Sequence, residues 1–591
     1  MLIKTKYMRV TLVILLILLL LISGLVINDS SFGGVRLTFY ALLHAVLIII
    51  PIGLFMIIAL RRGVRHRVLV LSIGACGSGI FVFIDFWIWM LVPQFASYIC
   101  GIALLVMLVI GFNEYKKLSQ MDTLHEWGFI VALWFFYALF ILSAGLSPWG
   151  IQDVLYNVAH RFSHELPSDN QLPYVFAQQI ATGNVLMPMI DGWLSSDRPP
   201  LQTAYFLASG AVKLSYSDLH YQVNATLLQC LWVIALWAFL KSKHIKRYAI
   251  ILTLSVSMFS SIAIVHSLYT WPKLLPVFFI LLLVGVLFDD DKKWLELWKV
   301  GVLVGILAAL AMLCHGGSIF PLLGIGLGVL FFQRIPKPVF ILATIGGCLI
   351  LMLAWSYYQT HIDPPGNRLL KWHLAGVIPV DERPFRQTLI DSYSALSVAE
   401  IWNNKWLNVL TMFGNPQDWF FGLLRSAVGL TTIAERVFLR DMQFFILFQA
   451  LGIFSIAFIA LFAPKLIRMS PEYILGRTLL VMGAVIGLFW VLLLFGPPNY
   501  TIIHAGSLVL PVFLICGSVL VVSAWSILFA GVLAVMHFII IISLFFSYGW
   551  CMDGVVPDLS LYILAAISLC FTIVLLPASS KCNTIILKVT H

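Results

Sequence analysis

The chain has 591 residues, of which 61% are hydrophobic and only 10% are charged. Soluble domains carry roughly 25% charged residues, so this composition excludes an ordinary soluble protein and indicates a polytopic membrane protein. Long continuous apolar runs favour membrane-spanning helices, because a β-barrel alternates apolar and polar residues in segments of about ten. The net charge of +10 lies mostly in short clusters beside apolar runs, and no aromatic-interleaved basic patch indicates nucleic-acid binding.

The first apolar run follows three basic residues and is long enough to be a retained helix rather than a cleaved signal peptide. A spanning helix needs about 20 apolar residues, and short basic loops favour the cytoplasmic side. With the N-terminus inside, the first five predicted spans cover residues 9–27, 37–60, 68–92, 96–112 and 127–145. This threading places the following polar loop on the non-cytoplasmic side.

Residues 201–215 are apolar, but a basic cluster follows the next predicted span, 223–240. The positive-inside rule therefore predicts that 201–215 is a short helix that does not cross the membrane. The remaining predicted spans cover residues 248–266, 274–289, 297–314, 318–333, 338–357, 443–463, 478–496, 507–522, 525–546 and 560–577. The sequence thus predicts an all-α membrane protein with about 16 transmembrane helices and both termini in the cytoplasm.

Two outer segments divide this chain into four predicted parts. Residues 358–442 form the second outer segment, in which amphipathic, aromatic-rich stretches predict helices lying along the membrane surface. The predicted parts are N-terminal transmembrane helices 1–126, a transmembrane core 127–357 with the first outer loop 146–200, the outer segment 358–442, and C-terminal transmembrane helices 443–591.

The first outer loop contains the residues that most resemble a reaction site. Asp169 opens its polar stretch, and Arg198 stands some 30 residues later before Pro199-Pro200. Such a pair suits transfer from a lipid-linked donor: a carboxylate deprotonates an acceptor hydroxyl, and a cation stabilises the phosphate leaving group. An arginine suits the second role because its planar fork presents fixed donors to phosphate.

The spacing in this loop is similar to the first outer loop of the C-type glycosyltransferase (GT-C) superfamily, in particular the branch of the aminoarabinose transferases and protein O-mannosyltransferases. That pattern has an acidic pair, a tyrosine, an alanine, a Thr-Gly-Asp/Asn turn, and a basic residue before Pro-Pro-Leu. The matching positions are Asp169-Asn170, Tyr174, Ala177, Gly183-Asn184, Arg198-Pro199-Pro200-Leu201 and Tyr205. The resemblance rests on about residues 127–290.

The resemblance implies an inverting transfer of a sugar from a polyprenyl-phosphate carrier to a glycan, lipid or protein acceptor on the outer face. Asp169 matches the proposed catalytic base, and Arg198 matches the cation near the lipid phosphate. The chain departs from the pattern at Asn170, where the family keeps a second acid. That substitution puts a metal-binding or second carboxylate role in doubt. No His or carboxylate cluster argues for a divalent metal, so the cofactor stays unknown.

Each candidate also has a simpler interpretation. Asp169 could cap the helix that follows, and Asp197 could pair with Arg198 across a turn. Lys273 could snorkel from an interfacial aromatic belt. The basic group after residue 357 could form a surface helix instead of a lipid-phosphate site. The secondary substrate-binding candidates are Asn170, Tyr174, Asp197, Lys273, Arg368, Lys371 and His373.

Two other classes of function stay open. A transporter or flippase of a lipid-linked glycan would explain the many spans and the intramembrane Asp85. A non-catalytic relative that binds lipid phosphate would explain Asn170. The leading interpretation is a multi-pass glycosyltransferase of the plasma or inner membrane.

Overall fold

The computed structural model describes residues 34–116, 123–146, 153–161, 166–185, 187–413, 416–432, 469–496 and 509–545, with a few positions between 434 and 457. Every regular element in these residues is helical, as the sequence predicts. The predicted spans 9–27, 443–463 and 560–577 lie largely or wholly outside the described residues.

The chain begins with four long apolar helices, α1 (Gly34–Arg61), α2 (Arg67–Leu91), α3 (Ala96–Lys116) and α4 (Thr123–Leu146). Short helices then form the first outer loop, namely α5 (Val154–His160), α6 (Leu172–Thr182) and α7 (Leu201–Ala208). The eight residues of α7 rise about 12 Å, which is too short for a hydrocarbon core of about 30 Å. This length agrees with the prediction that the apolar segment after residue 200 does not cross.

The middle of the chain is a run of apolar helices. Two of them, α10 and α11, form a span bent by 56°. The helices are α8 (Ser217–Gln229), α9 (Trp232–Ser242), α10 (Arg247–Met258), α11 (Ser261–Leu268), α12 (Leu275–Leu287), α13 (Trp298–Cys314), α14 (Ile319–Phe331) and α15 (Pro338–Tyr357).

The second outer segment holds four amphipathic helices, and three apolar helices follow it. In α18, Trp402 and Trp406 are exposed on one face, while Lys405 and Asn408 are buried against the protein. This apolar outer face is what a helix at a membrane surface requires. The helices are α16 (Arg368–Ala375), α17 (Phe385–Ser394), α18 (Val398–Phe413), α19 (Pro416–Ala427), α20 (Pro471–Leu493), α21 (Val509–Trp525) and α22 (Ile527–Phe545).

Eight helices of the described residues, with α8 and α9 counted together as one, are long and apolar enough to cross a membrane, or nine if the bent pair is one span. Four shorter apolar helices lie among them. These helices indicate a membrane protein, but fewer of them qualify as spans than the 16 that the sequence predicts. The N-terminal helices and the core predicted at 127–357 share one interior. Ser78 of α2 bonds Tyr205 of α7 at 3.0 Å, and the Cys100 thiol donates to the carbonyl of Ala208.

The basic loops of the bundle meet at one end. His66 pairs with Asp289 at 2.9 Å, Arg67 with Glu126 at 2.9 Å, and Lys243 with Asp290 at 2.8 Å. The sequence threading placed these loops on one side of the membrane, and the ion pairs bring them together. The first outer loop and the second outer segment lie at the opposite end of the bundle.

Glycines allow α13 and α15 to pack backbone against backbone. A Cβ at Gly347 would lie 2.6 Å from the carbonyl oxygen of Val302, whereas a Cβ at the adjacent Gly346 would meet nothing within 4 Å. Close approach of this kind is how helices associate in lipid, where no hydrophobic driving force acts between them.

We therefore expect Gly347→Ala to destabilise the fold by about 1–3 kcal/mol, because the methyl group overpacks the contact. Gly346→Ala is the matched control, since it adds the same methyl group to the same helix without a clash. Thermal unfolding of purified protein in detergent measures both. Equal midpoints for the two variants would contradict the close contact.

Candidate functional site

Asp169 and Arg198 form an ion pair and lie in the same buried cluster. Each side chain belongs to a residue that is 8% exposed. Asp169 stands in a short 3₁₀ helix, Ser168–Gln171, before α6, and Arg198 follows another, Ser195–Asp197, before α7. The two residues are 29 positions apart in the chain and are in direct contact in the fold.

The simpler interpretations of Asp169 and Asp197 can be compared with their contacts. The N-cap positions of the two helices at Asp169 are Pro167 and Gln171, and neither helix has a side-chain cap hydrogen bond. Asp197 accepts a hydrogen bond from the backbone N–H of Leu194 at 3.1 Å and lies 3.8 Å from a guanidinium nitrogen of Arg368. The Asp197 carboxylate therefore stabilises the turn before Arg198, whereas the guanidinium of Arg198 pairs with Asp169.

Aromatic rings cover the cations of this cluster. The guanidinium of Arg198 lies 4.3 Å from the ring centre of Trp193, and the guanidinium of Arg368 lies at the same distance from that ring. The ammonium of Lys273 lies 3.6 Å from the ring centre of Trp271. Cation–π attraction is strongest with tryptophan and grows when water is excluded, so these rings hold the cations in place.

Two histidines complete the site. His315 is 8% exposed, and its ring lies 6.0 Å from that of Trp271. His373 stands in α16, where its backbone carbonyl accepts the N–H of Phe495 at 2.9 Å. We call Asp169, Arg198, Lys273, His315 and His373 the cationic cluster.

Burial is the main cause of the lowered pKa values in the cationic cluster, and neighbouring cations add to it. Burial lowers the pKa of Lys273 well below its usual value; Asp169 opposes this shift and Arg198 adds to it. Burial, with smaller effects of Lys273 and Arg198, lowers the pKa of His315 well below its usual value and that of His373 to about 3. A bound anion would oppose both effects by stabilising the charged forms of these bases.

A buried carboxylate aligns the loop that carries Arg198. Asp363, from the second outer segment, accepts hydrogen bonds from the hydroxyl of Ser195 at 2.5 Å and from the N–H of Ser196 at 3.1 Å. Gln359 donates to the carbonyl of Ser196 at 3.0 Å. The two outer segments are therefore joined at the turn just before Arg198.

Three predicted site residues lie elsewhere or serve the fold. The amide of Asn170 donates to the carbonyl of Leu155 at 2.8 Å, and the Asn170 carbonyl accepts the hydroxyl of Tyr221 at 3.0 Å. The Tyr174 hydroxyl bonds Ser217 at 2.8 Å. Lys371 is buried, and its ammonium donates to the backbone carbonyls of Asp381 and Arg383, so its interpretation as a lipid-phosphate contact is wrong.

Several residues of the site were not predicted from the sequence. The aromatic partners Trp193 and Trp271, the aligning residue Asp363 and His315 were not among the predicted site residues. The run from Tyr269 to Lys273, between two apolar helices, was the available signal for Trp271. No group of three or more His, Cys, Asp or Glu residues suited to a metal ion occurs in the part of the chain that the structure describes.

No protein-family model, curated protein or solved structure matches this chain.

The lowered pKa of His315 predicts a pH-dependent stability. At a pH below the ordinary histidine value of 6.5, the unfolded chain binds a proton that the folded site resists. The contribution to stability is therefore complete above that value and declines as the pH falls below it. We expect His315→Gln to flatten the dependence of the thermal midpoint on pH between neutrality and about pH 5.

His361→Gln is the matched control, because His361 is exposed. The measurement is a series of thermal unfolding curves in detergent across this pH range for the parent protein and the two variants. An unchanged slope for His315→Gln, or an equal change in the control, would contradict the assignment.

Proposed function

We propose that this protein is a membrane glycosyltransferase that moves a sugar from a polyprenyl-phosphate carrier to an acceptor on the non-cytoplasmic face. The observation that carries the proposal is the cationic cluster, which is buried, holds Arg198 and Lys273 with one carboxylate, Asp169, and lies at the end of the bundle opposite the basic loops. A lipid-linked sugar phosphate offers the negative charge that this cluster lacks. The similarity of the loop around Asp169 and Arg198 to the GT-C superfamily supports the same function.

The geometry supports separate roles for the cations of the cluster and for its carboxylate. Arg198 and Lys273 would contact the donor phosphate, since Nε of Arg198 is buried without a hydrogen-bond partner among the described residues. Arg368, which shares the ring of Trp193 with Arg198, would contribute positive charge from the second outer segment. A phosphate that binds Arg198 would compete for the guanidinium and release Asp169 to act as a base.

The proposed reaction is a direct displacement with inversion at the anomeric carbon. The acceptor oxygen forms a bond to that carbon while the bond from the carbon to the phosphate oxygen breaks. The acceptor proton passes to Asp169, and the electron pair of the broken bond stays on the phosphate oxygen beside the cations. Aromatic rings around the site exclude water and strengthen these electrostatic contacts.

The proposal includes the full topology. Thirteen of its spans would be the bent pair, the eight long helices and the four shorter apolar helices of the described residues. The segments 9–27, 443–463 and 560–577 would provide the other three. With sixteen spans and the basic loops inside, both termini would lie in the cytoplasm and the cationic cluster would lie at the outer surface of the cell membrane.

A transporter of a lipid-linked glycan is the second candidate. Asp85 favours it, because this residue is 2% exposed within α2 and its Oδ2 has no hydrogen-bond partner among the described residues. Intramembrane carboxylates mark ion pathways in many transporters. A transporter would move the lipid-linked sugar across the membrane without breaking its sugar–phosphate bond, and this difference separates the two functions experimentally.

We expect Asp169→Asn to reduce sugar transfer by about 10²–10⁴-fold, because the amide cannot accept the acceptor proton. The assay uses protein in vesicles that contain a radiolabelled polyprenyl-phosphate sugar, and it measures label lost from the carrier and gained by acceptors in a membrane extract. Asp191→Asn is the matched control, since Asp191 is an exposed acid of the same loop outside the cationic cluster.

Loss of the ion pair leaves Arg198 buried without its carboxylate, so folding needs its own check. The double variant Asp169→Asn with Arg198→Gln removes both charges and should recover the thermal midpoint without recovering transfer. Parent-like transfer by Asp169→Asn would overturn the assignment of the base. Movement of intact carrier across the membrane by the parent protein, with no sugar transfer, would favour the transporter.

A further inference from the structure

An apolar cavity of about 240 Å³ lies away from the cationic cluster, between helices α1, α2, α3, α4, α9 and α12. It extends from the middle of the bundle to the end where the basic loops meet, and Leu60 and Trp127 line it at that end. Its wall is almost entirely carbon, contributed by residues that include Ile52, Gly53, Met56, Gly128 and Phe278.

Two glycines keep this cavity open. A Cβ at Gly53 or at Gly128 would meet nothing within 4 Å, although both residues lie within long helices. A glycine inside a helix is destabilising relative to alanine, so these two positions carry a cost that the open space explains. By contrast, Gly74 on the neighbouring α2 is closely packed, and a Cβ there would lie 2.6 Å from the side chain of Met56.

The composition of the wall determines what can fill the cavity. Water in a protein cavity needs two to four polar partners, and apolar cavities stay dry. The part of the wall that the structure describes offers almost no such partner. A hydrocarbon chain is the filling that a bilayer supplies, because lipid tails are as apolar as the wall and restore the dispersion contacts that a void would lack.

Charge beside the cavity indicates the head group of that lipid. The loops that border Leu60, Tyr115 and Trp127 carry more cations than acids among their described residues. The five cations and two acids, a surplus of three positive charges, are Arg61, Arg62, Arg65, Arg67, Lys116, Glu114 and Glu126. Basic residues beside a membrane attract anionic head groups.

We propose that this cavity binds one acyl chain of an anionic membrane lipid, with the head group among the basic loops. The site is separate from the cationic cluster and does not depend on the proposed transfer reaction. Tyr115 is exposed and Trp127 is buried, and both line the cavity beside the basic loops, where aromatic residues are enriched in membrane proteins.

The test uses the full-length protein in nanodiscs that contain a trace of phosphatidylglycerol with a photoreactive diazirine in its acyl chain. Cross-linked peptides are mapped by mass spectrometry after illumination. We expect labelling of peptides from α1 and α4 around Gly53 and Gly128. Gly53→Leu and Gly128→Leu should each reduce this labelling several-fold, because the new side chain occupies the cavity.

Gly346→Leu is the matched control, since it adds the same side chain at a helix position with equal space but outside the cavity. Gly53→Ala, a smaller change, tests the same site if a leucine variant does not fold. Labelling that persists in both filled variants, or that falls equally in the control, would overturn the acyl-chain site. Equal labelling by a phosphatidylcholine probe would overturn the preference for an anionic head group.

Discussion

The ion pair between Asp169 and Arg198 is the contact on which the outer end of this protein depends. It joins two segments that are 29 residues apart in the chain, in a place where both residues are 8% exposed. Removing two charges from water costs several kcal/mol for each ion, and mutual attraction offsets this only when the geometry is held. The surrounding structure supplies that geometry through Trp193, which covers Arg198, and through Asp363, which aligns the preceding turn.

The pair does not balance the charge of its surroundings. Lys273 adds a second buried basic group, and His315 and His373 stay neutral because burial disfavours their charged forms and the neighbouring Lys273 and Arg198 disfavour them further. An anion that enters this volume reverses the effect: it raises the proton affinity of each base and is itself stabilised by every proton gained. Binding of a phosphate and protonation of these bases are therefore linked, so affinity for the anion should increase as the pH falls towards the histidine range.

The composition of the sequence was sufficient to locate the loop that holds the site, but it did not predict which residues of that loop contact each other. Long apolar runs predicted the helical class, and polar residues between two such runs marked the loop that holds Asp169 and Arg198. Their direct pairing depends on how two 3₁₀ turns fold back on each other, which no spacing in the sequence encodes. Lys371 shows the opposite error: its position beside Arg368 suggested a shared role, but one turn of α16 points its ammonium at two backbone carbonyls.

Tryptophan rings stabilise the buried cations of the site without adding negative charge. A carboxylate beside each cation would lower the cost of burial, but it would also cancel the potential that attracts an anion. Trp193 lies between two guanidinium groups and Trp271 lies under the ammonium of Lys273, so the rings stabilise cations through their quadrupoles and add no net charge. Asp197 already faces Arg368 at 3.8 Å, so within the cationic cluster itself Asp169 is the one carboxylate for two cations, Arg198 and Lys273. That surplus of one positive charge is what a bound anion would neutralise.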